Sequence, residues 1–183
     1  MAPAGNFESL QAAIDNGADS VYFGVDQLNM RARASINFTI DDLEEIARRC
    51  HPKGIRTYLT LNTIIYDHDL SIIKTLLDAA KRVELTAVIA MDQAVIAYAR
   101  QIGMEVHIST QINITNIETV KFYALFADTM VMSRELSLRQ IKKICDQIAK
   151  EEIKGPSGNL VEVEIFGHGA LCMAVSGKCY LSL

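Results

Sequence analysis

Ile55-Arg-Thr-Tyr-Leu-Thr-Leu61, then a helical stretch from about Asp69 to Arg82, then Ala87-Val-Ile-Ala-Met91, a second helical stretch from about Gln93 to Ile102, and Glu105-Val-His-Ile-Ser109 decide the fold. Short β-rich runs alternate with amphipathic stretches of helical period, the signature of a parallel α/β arrangement. The alternation extends in both directions. Upstream, the run Ala2 to Ala4 ends at Gly5, and Asn6 is an N-cap candidate for a helix carrying Phe7, Leu10 and Ile14 that stops at Gly17. Ser20 to Val25 alternates as a strand, and Thr39 with Asp42 marks a capped helix start. Downstream come a helix over 116–126, a strand over 129–132, a helix over 138–150 and a strand over 161–166.

The sum is seven strands and six helices. Seven βα units stopping short of an eighth predict an incomplete (β/α)8, TIM-like barrel, with residues 1–183 forming one domain truncated before its C-terminal part. No G-x-G-x-x-G follows the first strand, which removes the main support for a dinucleotide-binding sheet. The stretch Glu151 to Leu160, with its Pro and Gly residues, reads as a surface connection on the stability face of the barrel.

Half of the 183 residues are hydrophobic, 7% are aromatic and the mean hydropathy is +0.15, enough for a packed core. A formal charge of −4 argues against coating nucleic acid by bulk charge, so an RNA partner would be gripped locally. No apolar run approaches the ~20 residues that span a bilayer, and Met1 leads into Ala-Pro-Ala-Gly without a leader pattern. The expectation is a cytoplasmic protein. Its four cysteines are too few and too scattered for a disulfide framework, leaving reduced thiols or metal ligands.

Barrel chemistry sits where strands run into the following loops. Period-2 alternation along Val106 to Asn113 predicts His107, Ser109, Gln111 and Asn113 on one side of strand five. Other strand ends carry Asn62, Asp92 and Ser133-Arg134-Glu135, and the loop after strand two carries Asn29, Arg31 and Arg33. Arg31, Arg33 and Arg134 read either as a clamp for carboxylate or phosphate or as solvated loop residues. Asn62 and Asp92 read equally as helix caps. His51 and His68 look structural, whereas His107 and His168, in or just after strands, face either a pocket or the core. Neither H-E-x-x-H nor G-x-S-x-G is present.

The sharpest local signal runs from Glu164-Ile-Phe-Gly-His168 through Cys172 to Gly177-Lys-Cys179-Tyr-Leu-Ser182. Two cysteines seven apart after a strand suit iron–sulfur or zinc ligation, although half a ligand set is a weak signal by itself. Cys50 and Cys145 fall in line with apolar helix positions and read as core cysteines.

This terminal segment resembles the signature of the peptidase U32 family. Gly17-Ala-Asp-Ser-Val-Tyr-Phe-Gly24, Ser109 to Asn113 and Ser133-Arg-Glu-Leu136 resemble its other motifs. The resemblance implies a [4Fe–4S] cluster with Cys172 and Cys179 as two of four ligands, the others lying beyond residue 183. It also implies one of several activities: oxygen-independent hydroxylation of tRNA wobble uridine, which the Ser-Arg-Glu-Leu and His168 to Ala174 stretches favour, of ribosomal RNA cytidine, or of the ubiquinone ring, with prephenate as possible co-substrate. A collagenase-like peptidase and a non-catalytic subunit of a homo- or hetero-oligomer are the alternatives. By their places at the strand ends and following loops, His107, Gln111, Arg134, Glu164 and His168 are the candidate catalytic residues, and Arg31, Arg33, Asn62 and Asn113 the candidate substrate-binding residues.

Overall fold

The computed structural model describes residues 1–25, 38–169, 172 and 174–177. The described residues form two compact units, Met1–Met104 and a second beginning at Glu105. The first contains β1 (Ala2–Pro3), α1 (Phe7–Asp15), β2 (Ser20–Gly24), α2 (Asp42–Cys50), β3 (Arg56–Leu61), α3 (Leu70–Arg82), β4 (Ala87–Ala90) and α4 (Gln93–Gln101). The second contains β5 (Glu105–Ile108), α5 (Ile117–Ala124), β6 (Thr129–Val131), α6 (Leu138–Lys150) and β7 (Glu162–Glu164).

Within each unit the strands pair in parallel and in sequence order, β1 to β4 and β5 to β7. Strand–helix alternation with sequential parallel pairing is the (β/α)8 repeat, here incomplete. Parallel strands are covered on both faces, so their sequences read as apolar runs; all four residues of β4 are buried. One in-register row, Tyr22, Tyr58 and Ala87, packs with Ile89 as a continuous cluster in the first unit. Cys50 lies fully buried on the apolar face of α2 beside Leu43 and Ile46, and burial pushes its thiol pKa up, as for an inert core cysteine.

Four helix starts, those of α1, α4, α5 and α6, follow from side-chain capping. Asn6 Oδ1 accepts from the Ser9 amide at 2.8 Å, Asp92 Oδ1 from the Ala94 amide at 2.8 Å, and Asn116 Oδ1 from the Thr119 amide at 3.0 Å. Ser137 and Gln140 form a reciprocal capping box at the start of α6. Asp92 is therefore a cap. His51 Nε2 lies 3.4 Å from the Thr57 hydroxyl, and His68 stacks on Tyr66 at the surface.

The connection before β7 is fastened from one residue. Asp128 Oδ1 accepts from the Ser157 amide at 3.1 Å and its hydroxyl at 2.7 Å, while Gly155 passes so close that a β-carbon there would lie 2.8 Å from Asp128 Cα.

Two expectations are corrected. Cys145 is exposed, because Ile144 and Ile148 take the buried seam of α6 and leave Leu138, 73% exposed, on the outside with it. Strand five stops at Ile108. Ser109 Oγ accepts from the Gln111 amide at 3.3 Å and Thr110–Ile112 closes as a 3-10 turn, so Gln111 and Asn113 are not set by strand alternation.

Candidate functional site

The C-terminal ends of β5, β6 and β7 lead into three loops that are laced together. The Met132 amide donates to the Glu164 carbonyl at 2.9 Å, the Ser133 amide to the Ile114 carbonyl at 3.1 Å, and the Thr110 hydroxyl to the Met132 carbonyl at 3.2 Å. These loops carry most of the sequence-derived candidates in the second unit, at the end where barrel enzymes place their chemistry.

His107 sits on β5, 5% exposed, between two carboxylates. Its Nε2 is 3.1 Å from Glu105 Oε1 and its Nδ1 3.7 Å from Glu164 Oε2. Burial, the largest influence, pushes the imidazole pKa down, but the two glutamates outweigh it and the net shift is upward. The structure thus joins His107 with Glu164, which sequence reasoning proposed separately, and adds Glu105, which it missed. Glu105 lies two residues before His107 on the same strand face, so period-2 spacing carried that signal.

Arg134 is exposed, with its guanidinium 5.6 Å from the centroid of the Phe166 ring, itself 50% exposed. An open ring capped by a guanidinium offers a stacking surface. Glu135, absent from the candidates, accepts hydrogen bonds from the Ser133 hydroxyl and, at 2.8 Å, from the Ser176 amide. Desolvation, the largest influence on its carboxyl, pushes the pKa up, yet these donors together hold it down at about 2. Gln111 Oε1 accepts from the Gly177 amide at 2.9 Å. Asn113 holds φ 58°, in the left-handed region that asparagine tolerates, and its Cβ lies 3.9 Å from where a β-carbon on Gly177 would sit.

Cys172 is a free, exposed thiol in the loop after β7, and His168 is exposed in the same loop. A soft, accessible thiol past a strand end has the donor chemistry an iron–sulfur cluster needs. Among the described residues no three or more His, Cys, Asp or Glu converge as a metal site, so a metal held at Cys172 would draw on ligands outside that set. Cys179, Arg31 and Arg33 lie outside the described residues. Asn62 is half-buried after β3 and belongs to the first unit.

The described helices include none long and apolar enough to cross a membrane. A solved U32 peptidase structure superposes on 90% of this chain and 65% of its own, with TM-score 0.66 at 15% identity, supporting the fold alone. A protein named collagenase from Porphyromonas gingivalis is 55% identical over 183 residues, all of this chain and 44% of that protein. A tRNA hydroxylation protein from Escherichia coli K12 is 34% identical over 187 residues, all of this chain and 38% of that protein. The chain thus spans less than half the length of these curated relatives. The family model described as "Peptidase family U32" matches residues 5–183, and the chain belongs to that family.

Proposed function

We propose that the protein of which this chain is part hydroxylates RNA without oxygen, at the wobble uridine of tRNA, using an iron–sulfur cluster. The observation that carries the reading is the loop after β7. That loop carries an accessible, free Cys172 and the exposed Phe166 beneath Arg134, and its Ser176–Gly177 turn is held by Glu135 and Gln111 of the two neighbouring loops.

Cys172 and Cys179 would be two ligands of a [4Fe–4S] cluster, which supplies redox chemistry at the strand ends. Phe166 would receive an unstacked base and Arg134 the anionic charge of RNA or of a hydroxyl donor such as prephenate. Buried between two carboxylates, His107 is suited to hold a proton near the reacting groups. Arg31, Arg33, Asn62 and Asn113 remain proposed for substrate contact, and Gln111, Glu164 and His168 for catalysis.

A tRNA hydroxylation protein aligns with the whole chain. Mass spectrometry of tRNA from a deletion strain tests the reading: hydroxylated wobble uridine should disappear and return with the wild-type gene but not with Cys172→Ser. Unchanged levels in the deletion strain would remove the proposal.

The 55% identity to a collagenase-named protein favours a second reading, a peptidase with Cys172 as nucleophile. A cysteine nucleophile needs an adjacent base. Neither Cys172 nor His168 takes a hydrogen bond among the described residues, which makes this the weaker reading. Cleavage of denatured collagen by the purified intact protein, abolished by Cys172→Ser, would establish it.

A further inference from the structure

The loop after β7 is fixed by side chains from elsewhere in the second unit. Two successive amides of one turn are captured: Ser176 N–H by Glu135 Oε1 at 2.8 Å and Gly177 N–H by Gln111 Oε1 at 2.9 Å. The acceptors come from the loops after β6 and β5. Ser176 is 1% exposed, so its amide could not exchange this partner for water without the turn opening.

Gly177 has two independent requirements for glycine. Its φ is 77°, and a β-carbon there would collide with the Gln111 carbonyl oxygen. The second oxygen of Glu135 takes the Ser133 hydroxyl, which anchors the acceptor itself. Turn, acceptors and glycine therefore fit as a set built from three separate stretches of sequence.

We propose that Glu135 and Gln111 are positioning residues that clamp the Ser176–Gly177 turn before any metal binds, a turn that lies in sequence between the candidate ligands Cys172 and Cys179. The consequence for metal binding rests on the proposed reading of those cysteines as ligands; the clamp on the turn does not. A ligand loop ordered in advance loses less freedom when it binds metal, and groups outside the ligand set commonly provide that order. Glu135 and Gln111 bond to the turn amides, so the effect proposed for them travels through the turn.

The full-length protein separates the two parts. Hydrogen exchange across residues 172–179 is measured in metal-free wild type, Glu135→Ala, Glu135→Gln and Gln111→Ala, and iron loss to a chelator is timed in the metal-loaded forms. Loss of a charge-assisted hydrogen bond should speed exchange of the turn amides about tenfold in Glu135→Ala. A smaller increase is expected in Gln111→Ala, and partial rescue in Glu135→Gln, which keeps an acceptor oxygen. The alanine variants should also release iron faster at unchanged melting temperature.

Wild-type exchange rates in both alanine variants would overturn the clamp, as would equal acceleration across the whole protein. If wild type binds no iron while the turn amides respond as expected, the clamp stands and the ligand reading fails. Should Glu135→Ala not fold, Gln111→Ala decides by the same exchange criterion.

Discussion

β4 and β7 are both short parallel strands, yet they are built on opposite terms. Ala87–Ala90 is wholly apolar and wholly buried, whereas Glu162–Glu164 has two carboxylates in three residues and no buried position. In β4 the side chains only pack. In β7 the Glu164 carboxylate lies against the buried His107, and the chain leaves the strand toward Cys172. One strand stabilises the fold, and the other spends its positions on charge; substitution should therefore have different consequences in each.

The largest effect is expected in β4. Val88→Asp places an uncompensated charge in a fully buried strand and should cost about 3–5 kcal/mol or prevent folding; denaturant unfolding measures it. A smaller effect falls on the connection entering β7. Gly155→Ala drives a methyl into the Asp128 backbone and should cost about 1–3 kcal/mol, measured the same way.

Glu164→Gln in β7 should change the pH dependence more than the stability itself. Because the pKa of His107 is raised on folding from its ordinary 6.5, its contribution is full below that value and is lost as pH rises through the raised folded value. Stability of wild type should decline as pH rises through that interval. With Glu164→Gln the folded pKa moves back toward the ordinary value and the decline should shrink; thermal midpoints across the interval show whether it does. An unchanged profile would break the contrast between the strands.

The smallest change is stabilising. Glu84, between α3 and β4, holds φ 58°, which costs a side chain but not glycine. Glu84→Gly should raise stability by about 0.5–1 kcal/mol, less the extra freedom given to the unfolded chain.

The framework was legible because its signals are local. The start of α6 follows from Ser137 and Gln140 three residues apart, and β4 from an unbroken apolar run flanked by helices. The site was only half legible, since its contacts join distant positions. Gln111 and Gly177 meet across 66 residues, and nothing near Glu135 in sequence announces that its carboxylate holds the Ser176 amide. Helical spacing alone also misplaced Cys145, because it locates an apolar stripe without saying which edge of that stripe is covered.

The most direct test of the cysteine loop as a metal site is iron and acid-labile sulfide analysis, with visible absorption, on the full-length protein purified without oxygen. The account predicts a coloured protein with iron and sulfide in matching amounts, both largely lost in Cys172→Ser while the melting temperature of the metal-free form is unchanged. A colourless wild-type protein without iron, or one whose iron survives Cys172→Ser, would contradict it.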